Sequence, residues 1–534
     1  MTKQRFCTRT RFTISAAVGM LLSLTAIAAL AAPPAAPVVT TSADIKQLHF
    51  DWDIVPRSNY YEFWFKANIS VPYVKFSEQR PWQPHATNNI AAHLLDWDQA
   101  RYQVRACNFS GCAASPDIAV KDRMFESIGY FKPGSAYADA GFGASAAISE
   151  DGQTLAAFAS NEPVPGGGIA VVYVFARVNG AWQQQKRIIP STTIPDRHNF
   201  GGYNAVPPAL SLSADGNRLM TGLGVCNQRD APGRFCYLML SVWNRSGSTW
   251  TREFQTVTES PFYSNDPAQM NEAGDRILDG SATVPGLYER TSSGWGKHAP
   301  LPPVLSGDAC LFARLSGDGN SLARVCSISA ISVRLLIAKA PDWKVAQNFV
   351  LPWPDEHVYG GFAIDYAGTT LALASSIFTA DSYPPDVRPQ VQVLKIANGA
   401  LTTSVLRAES WAPAEYSSFG YQLALSRDGG LLAVYNPTDR GAGHGVLSPP
   451  LQAGTSTPSA TNIYELRASG PRLRRVIKPP TTGSTYITYF QQFAFANNGR
   501  TLLITNPDDP SGATGIDGDR NDRSVFRAGA LWLY

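Results

Sequence analysis

The stretch best equipped for chemistry is NPDDPSGATGIDGDRND, residues 506–522, where Asp517, Asp519 and Asn521 alternate and Asp508, Asp509 and Asp522 stand close by. Hard cations are held by several converging oxygens, and a D-x-D-x-N run can wrap one, so calcium is the ion these residues would suit. The run departs from an EF-hand loop. Counted from Asp517, its sixth position is Asp522 where that loop needs Gly, and its twelfth is Ala528 in place of Glu. Two expectations follow: calcium on Asp517, Asp519 and Asn521, or a solvated acidic loop.

Cysteine is the second reactive type. Cys7 sits in the N-terminal leader, and the other six fall into close pairs: Cys107 with Cys112, Cys226 with Cys236, and Cys310 with Cys326. An even count with local pairing reads as disulfides in an oxidising compartment. Cys310 and Cys326 are equally far from Asp318, so a symmetric hairpin would face them across its two strands. A zinc site is the competing reading, but the His residues at 49, 85, 93, 198, 298, 357 and 444 show no spacing that would complete one. H-E-x-x-H, G-x-S-x-G, Walker and dinucleotide fingerprints are absent, so no catalytic residue is assigned.

Residues 1–32 read as a secretory signal peptide. Lys3, Arg5, Arg9 and Arg11 precede an apolar run from Ile14 to Ala32 that closes on Ala29-Leu30-Ala31. An uncleaved anchor is the rival, since the run approaches the roughly 20 residues needed to span a bilayer. Without those four basic residues, 41 Lys and Arg stand against 42 Asp and Glu. A near-neutral chain of this kind carries no electrostatic footprint for nucleic acid or for acidic lipid. The expected location is secreted, periplasmic or cell surface, with no transmembrane segment in the mature chain.

The elements that must position these residues are strands. Residues 33–40 (PPAAPVVT) read as a stiff linker. From 41 to 120 the period is two, as in Arg101, Gln103 and Arg105 alternating with Tyr102, Val104 and Ala106. From 121 to 534 one pattern recurs seven times: an apolar run, a tight turn and a second apolar run. Its turn glycines are Gly152, Gly216, Gly274, Gly319, Gly368, Gly429 and Gly499. Long repeats with paired strands at their heart mark radial β architecture, in which each unit covers a face its neighbour cannot bury alone. Asp151, Asp215, Asp318 and Asp428 before four of these glycines are expected to be turn formers. SIGYFKPG, residues 127–134, precedes the first repeat and is expected to close the ring as the outer strand of the last unit.

Two resemblances sharpen this. Trp52, Tyr102, the Tyr-x-Val-x-Ala-x-Asn run and Gly111 resemble a fibronectin type III module, which implies a β-sandwich over 41–120 with Tyr102 in its core. The motif FG-x4-(I/L)-S-x-D-G-x-x-L, complete from Phe142 to Leu155 and slightly shifted from Phe419 to Leu432, resembles bacterial FG-GAP repeats of the integrin alpha type. That resemblance implies an all-β fold, a seven-bladed β-propeller over 121–534. It also raises the calcium expectation, although the calcium loops of that family follow the first strand of a blade and residues 506–522 follow the second. The functional expectation is binding or adhesion through a rigid propeller face, toward an extracellular protein or polysaccharide. The alternatives are an extracellular polymer-degrading hydrolase or lyase, and a structural part of a surface assembly.

Overall fold

The computed structural model describes residues 32–534 apart from 165–166, 191–208, 227–235, 261–266, 281–284, 299–300, 302–308, 330–331, 353–355, 380–385, 408–418, 438, 440, 452–458 and 479–490. The leader lies outside the described residues. The chain divides into two compact units, residues 32–89 with 96–124, and residues 90–95 with 125–534.

In the first unit, Val39–Asp44, Gln47–Trp52 and His85–Asn89 form one antiparallel sheet. Val74–Gln79, Tyr60–Lys66, Arg101–Asn108 and Gly111–Ala114 form the other, with Ile118–Ala119 against Arg101–Asn108. Alternation along Arg101–Asn108 buries Tyr102, Val104 and Ala106 and leaves Arg101, Gln103 and Arg105 half exposed, as a sheet with one wet face requires. The two sheets meet through rings: Phe50 lies 4.7 Å from both Phe63 and Tyr102. The Tyr102 hydroxyl, buried, accepts a hydrogen bond from Asn88 Nδ2 at 2.8 Å, which satisfies its polar end inside the core. Cys107 and Cys112 pair across one hairpin and form a disulfide.

Among the described residues the second unit holds seven antiparallel sheets in sequence order. The first runs Phe142–Ile148, Thr154–Val164, Gly167–Val178 and Ala181–Ile188. Its second strand is buried on both faces from Thr154 to Ala159, which is why the sequence there is apolar without alternation. Each sheet buries one face on the next. Phe158 and Val172 of the first pack with Leu212 and Leu219 of the second, and Val391 and Val393 of the fifth pack with Leu432 and Val434 of the sixth. The Cys310–Cys326 disulfide joins directly opposed residues of one hairpin. The backbones of Cys226 and Cys236 are likewise opposed; their side chains lie outside the described residues.

The last sheet is assembled from both ends of the unit. Its order is Phe493–Ala496, Thr501–Asn506, Ala530–Leu533 and Gly129–Phe131, with Leu531 opposite Phe131 and Trp532 opposite Tyr130. The expected closing strand is therefore in place. Tyr130 packs on Trp532 at 4.5 Å, and Phe131 packs on Phe175 and Trp182 of the first sheet at 5.5 and 5.3 Å. Among the described residues no helix is long and apolar enough to cross a membrane.

Candidate functional site

The seven turns carry their own chemistry. In Ser149-Glu150-Asp151-Gly152, Ser149 Oγ donates to Asp151 Oδ1 at 2.5 Å, that oxygen accepts the Gln153 amide at 2.9 Å, and the Thr154 amide donates to Ser149 Oγ at 3.0 Å. The same Ser to Asp bond recurs at Ser213 and Asp215, Ser316 and Asp318, and Ser426 and Asp428. Burial pushes the Asp215 carboxyl up, but the Ser213 hydroxyl and the Asn217 amide outweigh it and hold it below the usual carboxylate range. These aspartates are turn formers, as their position implied. In two of the three turns without Asp before Gly, the first turn residue takes its hydrogen bonds: Asn271 Oδ1 accepts the Asp275 and Arg276 amides, and Asp365 Oδ1 accepts that of Thr369. All seven turn glycines have φ between 65° and 83°, the region that glycine alone adopts without strain.

Each turn then bonds to the next. Asp151 N donates to Ala214 O, Ala214 N to Glu272 O, Glu272 N to Gly317 O, Gly317 N to Asp365 O, and Tyr366 N to Arg427 O. Asp428 N donates to Asn498 Oδ1 at 3.0 Å, and Asn497 N returns to Glu150 O at 2.8 Å. The circle is complete.

The second residue of the turns therefore has a special place. Around the circle that position holds Glu150, Ala214, Glu272, Gly317, Tyr366, Arg427 and Asn497. Arg427 Nε donates to Glu272 Oε2 at 2.9 Å although the turns of Gly317 and Tyr366 lie between them, and the Arg427 guanidinium lies 3.8 Å from the Tyr366 ring centre. A Cβ at Gly317 would come within 2.9 Å of both Glu272 Oε1 and the Tyr366 ring, so the absence of a side chain there admits the pair. Glu150 Oε1 accepts the Asn498 amide at 2.7 Å. Burial raises the affinity of the Glu150 carboxyl for protons; the Glu272 and Asp151 carboxylates push the same way, while the Asn498 amide and Arg427 oppose. The Arg427 cation is thus paired with the Glu272 carboxylate on a stacked phenol, a keystone of charge across the ring of turns.

A pH dependence follows. A carboxyl whose folded pKa is raised costs nothing at acid pH, where it is protonated folded and unfolded alike, and begins to cost stability as pH rises through its ordinary value. Glu150→Gln is expected to leave the urea midpoint unchanged well below pH 4.5 and to raise it at neutral pH. Equal shifts at both pH values would contradict the assignment.

The residues singled out from the sequence lie elsewhere in this unit. Asp517 Oδ1 accepts the Tyr130 amide and Arg520 Nη2, each at 3.0 Å. Asp519 Oδ1 accepts the Asn521 amide at 2.9 Å, Asp522 takes Ser524, and Asp508 takes Arg527 Nε at 2.7 Å. The loop carboxylates thus serve separate partners. Among the described residues the cluster of His, Cys, Asp and Glu close enough to hold an ion is Glu62 with Cys107 and Cys112, and both of its sulfurs are spent in a disulfide.

No protein-family model and no curated protein matches this chain. Among solved structures it is similar to a protein from Lactobacillus plantarum, at 14% identity and TM-score 0.40, over 72% of this chain and 99% of that one. It is similar to the periplasmic gluconolactonase of Pseudomonas aeruginosa at 15% identity and TM-score 0.31, over 79% and 100%. It is also similar to the β-propeller domain of the trilobed protease from Pyrococcus furiosus at 11% identity and TM-score 0.31, over 58% and 82%.

Proposed function

We propose that this protein is an exported binding protein: a seven-bladed, FG-GAP-like β-propeller over 121–534, preceded by a fibronectin type III-like sandwich over 41–120. It recognises an extracellular protein or polysaccharide from a rigid propeller face. The observation that supports this most is the unbroken circle of turn-to-turn hydrogen bonds. It holds the sheets in one frame, and Arg427 and Glu272 within it are spent on one another instead of on a reacting bond. Binding of this kind is tested with the purified protein immobilised over a panel of surface polysaccharides and surface proteins. Saturable binding with no shortening of the bound polymer is the expected result. Depolymerisation of a bound polysaccharide would overturn the reading in favour of a propeller hydrolase or lyase.

Calcium at Asp517, Asp519 and Asn521 is a separate proposal, in which the ion takes the place at Asp517 now held by the Arg520 guanidinium. A hundredfold excess over Kd would then add about 2.7 kcal/mol of stability, and Asp519→Ala would remove that gain. Melting curves that superimpose in chelator and in calcium would dispose of it.

A further inference from the structure

Lys132 and Asp509 face each other inside the last sheet with side chains 0% and 1% exposed. Lys132 directly follows the closing strand Gly129–Phe131, and Asp509 lies in the turn after Thr501–Asn506. Lys132 Nζ donates to the Ser511 carbonyl at 2.5 Å and stands 3.4 Å from Asp509 Oδ1. That same Oδ1 accepts the Tyr130 hydroxyl at 2.9 Å and the Ser511 amide at 3.0 Å. Asp509 Oδ2 is buried without a hydrogen-bond partner.

As an ion pair this is a poor arrangement. A charge-assisted N–H···O contact ordinarily closes to about 2.7–2.9 Å, and a buried carboxylate oxygen with no donor is costly. Burial also pulls the Lys132 ammonium toward its neutral form, and a neutral buried amine is a nucleophile.

We propose that Lys132 Nζ and Asp509 Cγ condense after folding into an intramolecular amide, an isopeptide bond that welds the closing strand to the last sheet. One proton passes from the ammonium to the carboxylate, giving a neutral amine and a carboxylic acid. The Nζ lone pair attacks Cγ while the Tyr130 O–H polarises Oδ1. The tetrahedral centre then expels Oδ2 as water, which carries the acid proton and one amine proton; no oxidant, reductant or co-reactant is consumed. Fixed proximity drives the step, since well-oriented intramolecular reactions reach effective molarities of roughly a hundred thousand molar or more. The product satisfies every polar atom. Oδ1, now an amide carbonyl, keeps the Tyr130 and Ser511 donors; the remaining N–H keeps the Ser511 carbonyl; and the oxygen that had no partner is gone.

Mass spectrometry of the exported protein with its disulfides reduced tests this directly. The intact mass, calculated from the measured N-terminus, is expected to fall short of the sequence by one water, and a digest should contain a branched peptide joining Lys132 to Asp509. Lys132→Arg should restore the full mass, and Tyr130→Phe should leave a larger fraction of the purified protein at full mass. Full mass in the wild-type protein, or a water lost while the Lys132 peptide stays linear, would overturn the proposal. Because the decisive reading is taken on the wild-type chain, a variant that fails to fold leaves the test intact.

Discussion

Removal of residues 125–135 is expected to abolish the cooperative unfolding transition of the second unit, although it takes away none of the seven turns. Tyr130 and Phe131 are fully buried, and truncating a single buried aromatic costs about 3–5 kcal/mol. Losing both consumes most of the roughly 5–15 kcal/mol that a native domain has in total. It also opens the edge of Ala530–Leu533, which Gly129–Phe131 now pairs, and an open apolar edge invites association with other chains. Urea unfolding followed by tryptophan fluorescence, with light scattering alongside, reads both effects. An unchanged midpoint would mean that the closing strand contributes nothing to the ring.

Gly529→Ala carries the second large effect. Gly529 has φ +84°, and a Cβ there would lie 2.0 Å from the Phe142 carbonyl oxygen and 2.5 Å from its nitrogen. Both are backbone atoms of the first strand of the first sheet, so no rotamer change relieves the contact. Gly180 is the control: its φ is +85°, and a Cβ would meet nothing within 4 Å. Gly180→Ala should cost only the conformational strain, about 1–2 kcal/mol. Gly529→Ala should cost that plus a further 1–3 kcal/mol or more of forced backbone displacement. Denaturant midpoints of the two variants separate the terms, and equal costs would show that the junction yields freely.

The glycine turns, the buried second strands and the closing segment were legible in the sequence because each is a local demand. A positive φ at these tight turns favours Gly, a strand buried on both faces needs unbroken apolar residues, and SIGYFKPG had no other partner. The Ser-x-Asp-Gly logic was only half legible. Attention to the Asp hides that the first turn residue can carry the same bonds, as Asn271 and Asp365 do in turns whose third residue is Ala273 and Ala367. The keystone of Glu272, Tyr366 and Arg427 could not be read from any single turn, where a charged residue in second place looks solvated. It becomes visible only when the seven second positions are written in one column and the column is closed into a circle. Lys132 and Asp509 are hidden for the same reason: their meeting depends on a strand and a turn from opposite ends of the unit.

That meeting also sets a clock. Phe131 emerges early in synthesis, but its partner Leu531 emerges only after all that lies between them. Until then the closing strand Gly129–Phe131 lacks the strand it pairs with, and late pairing of distant strands is slow. The six sheets between them can form and pack on one another as they are made, but the closing pair waits for Ala530–Leu533.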